Sequence, residues 1–181
     1  MQALQLTKLA RGTSPWTRKQ RLSLLVWEFT WSLLCSWTPK PFNRWRLLIL
    51  GLFGAKIEAR PFVHQRARIQ VPWNLTLGSG ASLGDRTNIY SLDEIIIGRG
   101  AVIGQESYLC TGSHDLSTAE LPLVTSPIFV GPDTFIGARA FVMPGVSIGI
   151  RAVVGACSVV TRNVPPDTVV AGNPARPLSN K

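Results

Sequence analysis

A spacing of six between aliphatic residues, sustained over about 100 residues, constrains this chain more than any other feature. The positions are Ile57, Val63 and Ile69, then Leu77, Leu83 and Ile89, then Ile97, Ile103 and Leu109. After a gap they resume as Val130, Ile136 and Val142, followed by Ile148, Val154 and Val160. Neither an α-helix, with its period of 3.6, nor an alternating strand, with its period of 2, produces such a series. A triangular solenoid does: each hexapeptide makes one flat side and one corner, and three make a coil whose aliphatic side chains point inward. Four residues beyond these positions stand mostly small or β-branched residues, among them Ala67, Ala81, Thr87, Ala101, Ser107, Ser113, Thr134, Ala140 and Ala152, with Pro61, Trp73 and Asp93 as exceptions.

Glycine adds a second period. Gly78, Gly84, Gly98, Gly104, Gly131, Gly137, Gly149 and Gly155 each follow an inward aliphatic, whereas the third corner carries Tyr90, Cys110, Met143 and Thr161. The glycine corners predict either positive φ or close passage of the backbone past a neighbouring coil. The repeat thus has three distinguishable sides. The step from Leu109 to Val130 leaves room for an excursion over 115–127, and a long excursion from a regular solenoid commonly carries function.

Charge divides the chain. Residues 1–68 hold 12 Lys/Arg against Glu28 and Glu58, a balance of +10, whereas residues 69–181 balance at −1. The basic character therefore belongs to the N-terminal region, and with no RRM, zinc-knuckle or basic-zipper pattern a nucleic-acid partner is not expected. Cys35, Cys110 and Cys157 are odd in number and lack CxxC spacing, which reads as reduced thiols in a cytoplasmic protein.

The chain has two histidines. His64 follows Val63 in the glycine-poor first coil and reads as a structural residue. His114, in YLCTGSHD (108–115), stands at the mouth of the excursion, where a general base would be reachable. Parallel stacking predicts that Asp93 or Glu94, one coil earlier, lies beside it and orients its ring, with Asp115 as a rival partner. No GxSxG elbow, Walker loop or metalloprotease helix is present. A zinc-dependent carbonic anhydrase on a similar solenoid would need three histidines, so no metal site is expected.

From Gly54 to Arg176 the chain resembles hexapeptide-repeat acetyltransferases, most of all the colanic acid biosynthesis type within the maltose, galactoside, nodulation-factor and serine acetyltransferase group. The resemblance is carried by GAKI (54–57), YLCTGSHD (108–115), PIFVGPDTFIGARAFVMPGVSIG (127–149) and VVGACSVVTRNVPPDTVVAGNPAR (153–176). It implies a left-handed parallel β-helix of about five coils, assembled as a homotrimer with active sites in the grooves between solenoids. It also implies acetyl-coenzyme A as donor and His114 as the base that deprotonates an acceptor hydroxyl. Coenzyme A contacts carry over to Ala138, Ala156, Thr161, Arg162 and Arg176, with a backbone N–H near Ala138 as oxyanion donor. Where the galactoside and maltose branch places an asparagine and an aspartate for a small sugar, this chain reads Gly84 and Leu92, with Asp93 one residue away.

The expected organisation is a basic, tryptophan-rich helical segment over 1–53, a solenoid over 54–165 and a tail over 166–181. Helices are expected near 19–37 and 42–53, separated by Thr38-Pro39-Lys40-Pro41. Trp16, Trp27, Trp31, Trp37 and Trp45 interleave with bases in a way that suits either a cap over the open end of the solenoid or peripheral contact with the inner face of a membrane. The expected activity is O-acetyl transfer to a sugar hydroxyl, on a free or polyprenyl-linked acceptor, in exopolysaccharide or cell-envelope glycan synthesis. A non-sugar acceptor such as an amino-acid hydroxyl, or a non-enzymatic solenoid scaffold, is the alternative.

Overall fold

The computed structural model describes residues 16–178 and is a left-handed parallel β-helix capped at one end by helices. Residues 1–15 of the N-terminal segment and 179–181 of the tail lie outside the described residues. One side of the prism stacks Lys56–Ile57, Leu75–Leu77, Ile95–Ile97, Ile128–Val130 and Ser147–Ile148, all parallel. The second runs from Phe62–Val63 to Val169–Gly172. The third stacks Arg68–Ile69, Asn88–Tyr90, Tyr108–Cys110, Phe141–Val142 and Val159–Val160. Register follows the six-residue series: Ile69 pairs with Ile89, Ile89 with Leu109, Leu109 with Val142, and Val142 with Val160. Five coils are complete. A sixth turn begins where Val164 bridges to Ile148 and Val169–Gly172 joins the second side. The segment after residue 165 therefore contributes strands, and Ala175–Pro177 folds back antiparallel on Val169–Gly172.

The inward column is dry. Val63, Leu77, Leu83, Ile89, Ile97, Ile103, Leu109, Ile136, Val142 and Val154 are fully buried, and the small residues Ala81, Ala101, Ala140 and Ala152 are buried beside them. Each such aliphatic removed from water contributes on the order of 1.5–3 kcal/mol. Of the two explanations open for the corner glycines, close approach is the one realised. A Cβ on Gly78 would meet the Arg99 nitrogen at 2.5 Å, and one on Gly104 would meet the Ala138 nitrogen at 2.7 Å. Positive φ falls two residues later, at Gly80 and Gly100 on one corner and at Arg86, Glu106 and Arg139 on the other.

The N-terminal helices α1 (Arg18–Leu34) and α2 (Asn43–Leu52) close the first coil. Helix α1 opens with a capping box in which Thr17 accepts from the Gln20 N–H while the Gln20 side chain accepts from the Thr17 N–H. Its buried stripe holds Trp27, Trp31 and the following Cys35, and the Trp27 indole donates to the Ile69 carbonyl at 2.8 Å. Helix α2 buries Ile49, Leu50 and Arg46. The Arg46 guanidinium is fully buried without a carboxylate partner among the described residues. It donates instead to the Val63, Pro39 and Lys40 carbonyls and to the Thr38 hydroxyl at 2.9–3.1 Å. One cation thus fastens the interhelical turn and the first coil together. Burial lowers the Arg46 pKa, and burial pushes the nearby Cys35 thiol up to about 11.

Two outcomes follow for stability. Gly104→Ala should destabilise the fold by about 1–3 kcal/mol, because the obstructing atoms are backbone rather than yielding side chains. Thermal or denaturant unfolding measures this. His64 is buried against Asp85, with Nδ1 3.1 Å from the carboxylate, and burial lowers its pKa despite that charge. A lowered histidine pKa means that the unfolded chain binds the proton more tightly. Stability should therefore fall as pH drops below about 6.5, and His64→Gln should flatten that dependence in melts taken between neutral pH and about pH 5.

Candidate active site

The third side of the solenoid is where the chain leaves its regular path. Coil stacking holds through Cys110, which pairs with Tyr90, and through Thr111, whose hydroxyl donates to the Tyr90 carbonyl at 2.7 Å and accepts from the Asp93 N–H at 3.0 Å. The backbone then projects outward as a hairpin in which Gly112–His114 pairs antiparallel with Leu123–Thr125. It returns at Ser126, whose N–H bonds to the Thr111 carbonyl. Gly112 sits over Leu92 and Tyr90, where a Cβ would come within 2.9 Å of the Leu92 side chain. The expected excursion over 115–127 is therefore a two-stranded arm whose ascending strand ends in His114.

His114 is exposed, and its Nδ1 lies 2.7 Å from the Leu121 carbonyl. A carbonyl only accepts, so Nδ1 carries the proton and Nε2 presents its lone pair outward. That is the tautomer a base needs to take a proton from a bound hydroxyl. The Asp115 carboxylate, offered by sequence as a partner for the ring, instead accepts from the Ser117 N–H at 3.0 Å and the Ser117 hydroxyl at 2.6 Å. It shapes the hairpin tip that carries Leu121.

Asp93 and Glu94, expected beside His114, make their contacts elsewhere. Because the chain departs at Thr111, the level of the solenoid above Glu94 is occupied by 127–128: Ile128 donates to the Glu94 carbonyl. The Glu94 carboxylate turns to Lys56 at 3.7 Å, and the Asp93 carboxylate accepts from the Glu94 N–H at 2.8 Å. The imidazole is oriented by a backbone carbonyl brought in by the hairpin. Hexad spacing carries no signal for that contact, and Leu121 was not anticipated.

The residues assigned to the donor separate into two sets. Ala138 and Ala156 follow Gly137 and Gly155 on one corner, one coil apart, tied by the Cys157 N–H to the Ala138 carbonyl at 2.8 Å. Arg176 is exposed and pairs in register with Ala171 at the top of that corner. Thr161 and Arg162, both exposed, follow Val159–Val160 at the opposite edge of the third side. The Ala138 N–H has no hydrogen-bond partner among the described residues. At the foot of the Ala138–Ala156 corner, below Arg86, a groove of about 450 Å³ opens between α1 and the first coil. Trp31, Ser32, Gln65, Arg66 and Arg68 line it, and the Gln65 Oε1 is buried there without a hydrogen-bond partner. Cys110 is not an activated nucleophile: burial raises its pKa, and its thiol donates to the Gly112 carbonyl at 3.1 Å.

Residues 127–162 match the family model for the hexapeptide repeat of succinyl-transferase. An Escherichia coli (strain K12) protein, provisionally assigned as the colanic acid biosynthesis acetyltransferase WcaF, is 42% identical over 154 residues, covering 85% of each chain. Among solved structures, a maltose O-acetyltransferase from Clostridium difficile 630 superposes with a TM-score of 0.77 at 26% identity, over 90% of this chain and 88% of the other. A galactoside acetyltransferase in complex with coenzyme A shares the fold at a TM-score of 0.83 and 22% identity, over 92% and 84% of the two chains. With the repeat, the histidine arm and a relative matched over most of both lengths, the chain belongs to the hexapeptide-repeat acetyltransferase family that includes WcaF.

Proposed function

We propose that this acetyltransferase moves the acetyl group of acetyl-coenzyme A to a sugar hydroxyl in exopolysaccharide or cell-envelope glycan synthesis. The observation that carries the reading is the 2.7 Å contact of His114 Nδ1 with the Leu121 carbonyl, on an arm that projects from the solenoid and leaves Nε2 for the acceptor. Nε2 takes the proton of the acceptor hydroxyl as its oxygen attacks the thioester carbonyl. The C–S bond then breaks, and the departing thiolate receives that proton from the imidazolium. The free Ala138 N–H is suited to stabilise the oxyanion formed between these steps. Ala156, Thr161, Arg162 and Arg176 hold the coenzyme, with arginine suited to its phosphates.

The reading includes a homotrimer, in which the donor corner of one solenoid faces the histidine arm of the next. It also includes a cytoplasmic location in which residues 1–53 reach the inner face of the membrane. WcaF is named for colanic acid biosynthesis, and the structural relatives are named for maltose and galactosides. Both namings favour a carbohydrate acceptor over an amino-acid hydroxyl. Leu92 packs beneath Gly112 where the small-sugar branch has an aspartate, which favours a larger or lipid-linked glycan over free maltose or galactoside.

Two expected outcomes test this. His114→Ala should lower kcat by about 10²–10⁴ while acetyl-coenzyme A binding is retained, as read from coenzyme A release with a panel of free and lipid-linked sugars and from calorimetry of the donor. Acceptor-dependent release unchanged in that variant would refute His114 as base. Ser117→Ala, which removes the hydroxyl bond to the Asp115 carboxylate at the hairpin tip and keeps the backbone one, should lower kcat by up to about tenfold with little change in the KM for acetyl-coenzyme A.

A further inference from the structure

Capping the solenoid uses only one side of α1 and α2, and the opposite side is apolar. Along α1 the outward positions are Leu22, Leu25, Val26, Phe29 and Leu33, a helical stripe with Leu22, Phe29 and Leu33 at 62%, 68% and 66% exposure. Helix α2 continues it with Trp45, Leu48 and Leu52, all exposed. The two stripes join. The Trp45 indole donates to the Leu34 carbonyl at 2.8 Å, and Leu52 lines one cleft together with Leu22 and Val26. The helices therefore run antiparallel and set their exposed apolar stripes side by side.

Charge identifies the occupant. Arg18 precedes Leu22 by one turn and Arg44 precedes Leu48 by one turn, so each helix opens its stripe with a base. Lys19, Arg21 and Lys40 are also exposed around the surface, while Glu28 is the one acid on either helix. Trp37 stands at its margin, 71% exposed. Two copies meeting face to face would set these bases against one another, which costs affinity. An anionic bilayer satisfies both features at once, taking the apolar stripe below the headgroups and pairing the bases with lipid phosphates. No described helix is long and apolar enough to cross a membrane, so the contact is in the plane of the interface.

We propose that the outward face of α1 and α2, centred on Leu22, Phe29, Leu33, Leu48 and Leu52, is an interfacial membrane-docking surface for anionic lipid. It deepens the reading above by assigning the membrane contact to particular residues. Its geometry does not depend on the acyl-transfer chemistry. The groove bounded by Trp31 and Arg68 lies on the solenoid side of α1, so docking would bring the enzyme's grooves close to the headgroup layer without burying them.

The test is sedimentation of the full chain with extruded vesicles of phosphatidylcholine alone or with about 30% phosphatidylglycerol. The same preparations are assayed for oligomeric state by light scattering and for coenzyme A release. The wild type should bind anionic vesicles and lose binding as salt is raised. Phe29→Asp with Leu33→Asp should weaken vesicle binding by about tenfold or more, with the thermal melt, the oligomeric state and turnover on a water-soluble acceptor unchanged. Arg18→Glu with Arg44→Glu, which leaves every apolar contact in place, should abolish the preference for anionic over neutral vesicles. The proposal is overturned if the wild type stays in the supernatant with anionic vesicles, or if the aspartate variant binds them as the wild type does. A fall in oligomeric mass in the aspartate variant, with no vesicle binding by the wild type, would reassign the face to a contact between copies. Loss of vesicle binding with turnover intact leaves the acetyltransferase reading standing, so the two fail separately.

Discussion

The stacking of one coil on the next at hydrogen-bonding distance governs everything else in this molecule. Backbones pass so closely at two corners that a methyl group on Gly104 would meet the Ala138 nitrogen at 2.7 Å, and only glycine fits. The third corner carries larger residues instead, Tyr90, Cys110, Met143 and Thr161. It is also where the chain departs, between Cys110 and Ser126, without disturbing the coils above and below. The same close packing that makes the solenoid rigid therefore localises its one large irregularity.

That irregularity carries His114, the proposed base. A base on a regular coil would be surrounded by its stacking neighbours, and its tautomer would be set by whichever carboxylate lay one coil away. Here the hairpin supplies its own orienting group, the Leu121 carbonyl, and Asp115 with Ser117 holds the tip in shape. The donor-side residues remain on the rigid prism. Ala138 and Ala156 are separated by one coil spacing, which suits an elongated ligand laid along a corner. The proposed division, with the acceptor at the hairpin and the donor along the solenoid corner, would suit a family whose members are named for different acceptors.

The N-terminal helices divide their side chains between a face on the solenoid and a face turned outward. Their inner side closes the exposed end of the solenoid, with Trp27 bonded to the Ile69 carbonyl and Arg46 bonded to carbonyls of the first coil and the turn. The sequence offers both a cap and a membrane contact, which are compatible with each other, since both use tryptophan and arginine. The structure buries Trp27, Trp31 and Arg46 against the solenoid and leaves Trp37, Trp45, Arg18 and Arg44 exposed.

By itself the sequence determined the coil, its inward column, the position of the long excursion and His114 as the candidate base. These are properties of local period and residue type: Leu83, Ile103 and Ile136 are buried because spacing six leaves them nowhere else to point. Tertiary structure alone decided what touches His114. Stacking predicts Asp93 or Glu94, but once the chain leaves the coil at Thr111 the sequence offset no longer measures height along the solenoid, and residues 127–128 take the place one coil above Glu94. The pairing of Ser113 with Val124 that carries Leu121 to the imidazole, and the sides that α1 and α2 leave uncovered, likewise depend on non-local packing. A periodic pattern encodes which residues face inward, and it encodes nothing about an excursion that abandons the period.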